Sequence, residues 1–142
     1  MVTGKRVSVE DFVNIQNLMG QYQFLVDEGD EEAWTALFVE DGFFAGLMPD
    51  AIVGREALKM IPQSAAQFQG KLRHLSGNFN MRYGATTDEA FAKFYSFVTT
   101  WIKGDGPKMF QMAICEAHLL RVDGEWMVKS NTMRGLNEDL VL

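Results

Sequence analysis

A chain of 142 residues carrying 13 Lys and Arg against 19 Asp and Glu has the length of one domain, and its net charge of −6 is the wrong sign for a nucleic-acid surface. Apolar residues at 47% and charged residues at 23% are ordinary globular proportions, which exclude disorder, and no apolar run approaches the roughly 20 residues a membrane helix needs. The single cysteine, Cys115, rules out an internal disulfide and a cysteine-based zinc site.

The opening residues Met1–Glu10 hold no apolar signal-peptide region. The expectation is therefore a single cytoplasmic domain over residues 1–142. Next, Phe12, Ile15, Leu18, Met19, Tyr22, Leu25 and Val26 recur at three- and four-residue steps, which predicts a helix with one apolar stripe. Gly29 is placed to end it and Asp30 to cap a second helix, whose buried face is Trp34, Leu37 and Phe38. Residues 42–53 read as short extended segments around a turn at Pro49-Asp50. A third helical stretch from Arg55 to Phe68 is expected to kink or break at Pro62.

From Leu72 onward the pattern is that of strands: Leu72 to Tyr83, Glu89 to Lys103, Lys108 to Val122 and Glu125 to Arg134. Asp123-Gly124 between the last two is the preferred two-residue hairpin turn, since both central residues must take positive φ. The second of these strands is apolar on both faces, with Phe91, Tyr95, Phe97 and Trp101 alternating with Ala92, Phe94, Val98 and Ile102. Helices can cover one face, and a second or third copy of the chain is the simplest cover for the other, so a homodimer or homotrimer through the outer sheet face is expected. Helices segregated from an antiparallel meander define the α+β class, and a curved sheet over helices leaves room for a small ligand between them.

The chemistry-bearing candidates are polar residues among apolar neighbours. Asp27 ends the first helix, where the macrodipole disfavours a carboxylate, so it is either solvated or held by a partner. His74 opens the first long strand, and simple alternation sets His74, Ser76, Asn78 and Asn80 on one face against Leu75, Phe79 and Met81 on the other. A carboxylate with an imidazole is the smallest general acid–base unit. Tyr22 lies five residues before Asp27, about 140° away around the helix, so the two share a face only if the helix loosens near Gly29. It is either a core residue or a hydrogen-bond donor to a developing oxyanion. Arg134 is either an anchor for an anionic or carbonyl group or a solvated strand end. His118 and Glu116 share a strand face, but no clustered ligand motif accompanies them, so no metal is expected. Cys115 reads as an inert core thiol, and Gly104-Asp-Gly-Pro107 lacks the following helix of a phosphate loop. Nine methionines and eleven phenylalanines suit core or a soft cavity lining.

Several segments carry a resemblance: Gln21-Tyr-Gln-Phe-Leu-Val-Asp27, Glu31-Glu-Ala-Trp-Thr-Ala-Leu-Phe38, Gly54-Arg-Glu-Ala-Leu58, Arg73-His74 and Asp123-Gly-Glu-Trp126. In this order the chain resembles the SnoaL-like branch of the nuclear transport factor 2 (NTF2-like) superfamily, from about Val9 to Arg134. The resemblance implies a cone-shaped, cystatin-like α+β barrel, with N-terminal helices packed on a curved, mainly antiparallel sheet around a pocket. Scytalone dehydratase, a lindane dehydrochlorinase and bile-acid dehydratase are members. In the dehydratase and dehydrochlorinase members an aspartate ending the first helix pairs with a histidine opening the first long strand, positions held here by Asp27 and His74. Bile-acid dehydratase adds a tyrosine at the place of Tyr22. The implied activity is a cofactor-free lyase or isomerase on a small hydrophobic molecule, with Asp27, His74 and Tyr22 catalytic and Trp34, Phe44, Phe68, Leu72, Trp101 and Arg134 around the substrate. Two alternatives stand beside it: a non-catalytic ligand-binding or assembly module, in which Trp34, Phe68 or Trp101 would plug the pocket, and a polyketide cyclase using the same pair.

Overall fold

The first helix, α1 (Val9–Glu28), starts where Ser8 caps it, its Oγ accepting the Asp11 N–H at 3.1 Å. It stops at Gly29, whose φ of 72° is left-handed backbone; the Asp30 N–H returns to the Leu25 carbonyl at 3.1 Å and satisfies the helix end. A Cβ on residue 29 would also lie 3.0 Å from the Ala66 methyl. Gly29→Ala is therefore expected to cost about 1–2 kcal/mol and to lower Tm by about 3–6 °C in a thermal melt.

The computed structural model describes residues 4–135, and the half-apolar tail at 136–142 lies outside them. After α1 come α2 (Glu31–Thr35), β1 (Phe38–Ala45), β2 (Ile52–Val53), α3 (Arg55–Leu58), α4 (Met60–Ala66), β3 (Leu72–Tyr83), β4 (Glu89–Ile102), β5 (Gly106–Val122) and β6 (Glu125–Gly135). Asp30 caps α2 by accepting the Ala33 N–H at 3.0 Å. Two expectations shift here. Phe38, read as helical, opens β1, where its carbonyl is held by the Arg55 guanidinium at 3.0 and 2.5 Å. The third helix breaks at Lys59 rather than at Pro62. A proline ring clashes with the carbonyl four residues back, here that of Leu58, so the chain restarts a helix in which Pro62 occupies the first turn and needs no N–H partner.

The sheet runs β2-β1-β6-β5-β4-β3, antiparallel throughout except for the parallel pair β1–β6. It curves around α1 but does not close into the expected barrel, leaving β2 and β3 as edges. Asp123 and Gly124 take φ of 51° and 83°, as the hairpin turn requires. A bulge in β3 corrects the simple alternation. The register shifts between Gly77 and Asn80 with Asn78 at φ 58°, so two residues stand where the ladder has room for one. Met81 and Tyr83 thereby join Leu72 and the half-buried His74 and Ser76 on the inner side, while Asn78 and Asn80 are exposed. Under the sheet the core centres on Ile15, Met19, Trp34, Phe38, Leu58, Phe94, Leu119 and Val128.

At the start of α1 the buried Asp11 joins three elements. Its carboxylate accepts from the Tyr83 hydroxyl, from Arg121 Nη1 at 2.8 Å and Nη2 at 3.2 Å, and from Trp126 Nε1 at 3.1 Å. Burial opposes ionisation, but the hydrogen bonds from Arg121, Tyr83 and Trp126 outweigh it and bring the carboxyl down to about 2.

Candidate functional site

Asp27 and His74 meet. The aspartate is 6% exposed in the last turn of α1, which holds no basic residue, and both of its oxygens are committed to His74. Oδ2 accepts the His74 backbone N–H at 2.8 Å and Oδ1 stands 2.5 Å from Nδ1. These two bonds offset the unfavourable macrodipole and hold the ring with Nδ1–H toward the carboxylate. Nε2 then has no protein partner among the described residues and is free to take a proton.

His74 stands between two cavities. Outward, a cleft of about 810 Å³ runs between α1 and the edge strand β3, walled by Gln16, Met19, Gln23, Phe24 and Asp27 on the helix and by Arg73, Leu75, Ser76 and Phe79 on the strand. Inward, beneath the sheet, a chamber of about 90 Å³ is walled by Tyr22, Trp34, Phe44, Ser96, Cys115, Asn131 and Met133 among others, with His74 and Gln23 common to both cavities.

The expected site residues divide accordingly. Tyr22, Trp34 and Phe44 line the chamber, and Trp101, 53% exposed, lines the cleft without plugging it. Three residues stand away from both. Leu72 packs in the core, and Phe68 meets the Phe110 ring edge-on at 5.5 Å. Arg134 pairs with Ile114, whose neighbours Ala113 and Cys115 point inward, so Arg134 is on the outer sheet face. α1 stays regular through Glu28, so the loosening that would bring Tyr22 beside Asp27 does not occur. The tyrosine faces the chamber while the aspartate faces the cleft, and the imidazole borders both.

Inside the chamber the Tyr22 hydroxyl accepts from Asn131 Nδ2 at 3.1 Å, and its ring packs on Trp34 at 5.1 Å and Phe38 at 5.8 Å. Burial pushes the phenol well above its ordinary value, so it remains a protonated donor across the neutral range. Burial likewise pushes the Cys115 thiol up to about 12, which makes it a poor nucleophile. His118 pairs with Glu89 at 2.8 Å and stacks on Phe91, away from the site, and among the described residues no three His, Cys, Asp or Glu side chains gather as metal ligands.

Two residues of the site were not anticipated. Gln23 is buried and donates from Nε2 to Ser76 Oγ at 2.6 Å. Its signal was the four-residue step Met19, Gln23, Asp27 along one helix face. Asn131 is 2% exposed, and a register shift in β6 beside Leu119 turns it inward, which alternation along Lys129–Thr132 does not foretell.

The family model for the SnoaL-like domain matches residues 7–132. No protein of curated function matches at a significant level. Among solved structures, Aln2 from a Streptomyces species superposes with a TM-score of 0.87 at 20% identity, covering 96% of this chain and 98% of that one. An NTF2-like protein with a cystatin-like fold from Novosphingobium aromaticivorans gives 0.81 at 23% identity over 91% and 84%. A scytalone dehydratase-like protein from the same organism gives 0.77 at 22% over 89% and 85%. The matched model spans most of the sequence and the folds agree from end to end, so the chain belongs to the SnoaL-like domain family of NTF2-like, cystatin-fold proteins.

Proposed function

We propose that the protein is a cofactor-independent lyase or isomerase of dehydratase type, acting on a small, largely hydrophobic molecule. The observation that carries this reading is the buried carboxylate whose two oxygens both hold His74, leaving Nε2 open toward the cavities. In a dehydration, Nε2 takes the proton from the carbon beside a carbonyl, the C–H electron pair becomes the new double bond, and the C–O bond opposite breaks. The imidazolium, stabilised by Asp27, returns its proton to the departing oxygen, which leaves as water. Tyr22, kept protonated by burial, hydrogen-bonds the developing oxyanion. The apolar body of the substrate lies in the cleft on Phe24, Leu75, Phe79 and Trp101. The dehydratase-like neighbour supports the reaction class.

The proposal includes a cytoplasmic location, which the single buried thiol suits. It also includes a homodimer or homotrimer through the outer sheet face. Across that face the cross-strand pairs Phe97–Met112 and Tyr95–Ile114 present apolar side chains, with Tyr95 37% exposed. No helix among the described residues is long and apolar enough to cross a membrane.

The test is elimination from a panel of cyclic β-hydroxy ketones, followed by the ultraviolet absorbance of the enone formed. Asp27→Asn is expected to lower kcat/KM about 10²–10⁴-fold, because an amide offers one oxygen where the carboxylate offers two, one for the backbone N–H and one for Nδ1–H, and the ring loses its tautomer. An active wild type matched by an equally active variant would refute the role of the pair.

A further inference from the structure

The chamber holds polar atoms that the fold leaves unmatched. Trp34 Nε1, Gln23 Oε1 and Asn131 Oδ1 are buried and have no hydrogen-bond partner among the described residues. All three residues line the same 90 Å³ space and are at most 7% exposed. An unsatisfied buried polar group costs about 1–3 kcal/mol, and three around one cavity is a cost that core packing alone does not explain. The rest of the wall is mainly apolar: Val26, Phe44, Ile61 and Met133 offer no hydrogen bond, and Ser96, Gln111 and the His74 ring are its other polar groups.

The unmatched atoms have a definite sense. Trp34 supplies an N–H donor, and Tyr22, whose oxygen already accepts from Asn131, has its own hydrogen to give. Gln23 and Asn131 supply carbonyl acceptors. A hydroxyl group in this space accepts from Trp34 and Tyr22 and donates to one of the two carbonyls, which leaves the other for a second polar hydrogen. The volume corresponds to about three waters of liquid, enough for one edge of a ring and too little for a whole polycyclic body.

We propose that the chamber is a recognition subsite for a ring hydroxyl, phenolic or enolic, held by Trp34, Tyr22, Gln23 and Asn131 while the remainder of the ligand lies in the outer cleft. His74 and Gln23, shared by both cavities, then stand at the waist of the bound molecule. This deepens the reading above and rests on it only for the supposition that the two cavities serve one ligand.

The experiment compares phenol with toluene, which replaces the hydroxyl by a methyl group of similar size. Both are titrated into the ¹⁵N-labelled protein and followed by NMR. Phenol is expected to bind about tenfold more tightly than toluene and to shift the one indole N–H signal that is missing from the spectrum of Trp34→Phe. In Trp34→Phe and in Asn131→Leu the preference should fall several-fold while toluene still binds. Equal affinities in the wild type, no saturable binding of either probe, movement of the Trp101 indole signal instead, or an unchanged preference in both variants would each overturn the proposal. The readout is binding without turnover. Its failure leaves the Asp27–His74 chemistry standing, and a fully active Asp27→Asn variant leaves this subsite standing.

Discussion

Replacing His74 by alanine is expected to lower kcat/KM by about 10²–10⁴-fold, the usual contribution of a positioned proton-transfer group. The structure separates this loss from damage to the fold. Asp27 Oδ2 is held by the backbone N–H of residue 74 at 2.8 Å, a bond that survives any side-chain change. Only the contact of Oδ1 with Nδ1 disappears, worth about 1–2 kcal/mol, or about 2–6 °C in Tm. His74→Gln sharpens the comparison, since its amide can donate to Asp27 but has no nitrogen that takes a proton at neutral pH. Stability near that of the wild type with activity as low as the alanine variant's is the expected outcome. Retention of full activity by either variant on a substrate the wild type turns over would sink the assignment.

The largest expected effect on stability lies at the other end of α1. Asp11→Asn should cost about 3 kcal/mol at neutral pH and lower Tm by about 6–12 °C, because it leaves the Arg121 guanidinium beside a carboxamide that returns N–H donors toward it. The effect depends on pH with a fixed sign. The folded carboxyl lies at about 2, below the 3.8 of an unperturbed aspartate, so its ionisation stabilises the fold by ~2 kcal/mol. That contribution is complete above the unfolded value and is lost as pH falls through the folded one. Melting curves of wild type and variant should therefore run a constant distance apart above pH ~5 and converge between pH ~4 and ~2. A gap independent of pH down to ~2 would show that the carboxylate's charge is not what stabilises the fold.

Local chemistry made most of this fold readable in the sequence. Gly29, the Asp30 cap, the Asp123-Gly124 turn and the period of α1 each act within a few residues, and each stands where the pattern places it. Asp27 and His74 are a different case: spacing alone does not show that they meet, and only the family resemblance pairs the two positions that the structure brings into contact. The misreadings share a different origin. A bulge at Asn78 and a register shift in β6 each exchange the faces of the residues beyond them, and no local preference announces either. They decide that Asn131 faces the chamber while Asn80 is exposed, and Arg134's place in the β5–β6 ladder carries it away from both cavities. Phe38 was lost to the helix for a related reason. Its strand is fixed by Arg55, seventeen residues on, and by the β6 backbone it pairs with, interactions that a window along the chain does not contain.

The position of β6 has a consequence for how the molecule comes into being. β6, the last strand among the described residues, is an interior member of the sheet, inserted between β1, which it meets in parallel, and β5. A nascent chain still short of Glu125 has its two sheet portions but nothing to join them, and Asn131 and Met133 are not yet present as walls of the chamber. Maturation of the binding space must then wait for β6 to be made, and until that moment the β1 and β5 flanks are open to mispairing with other strands.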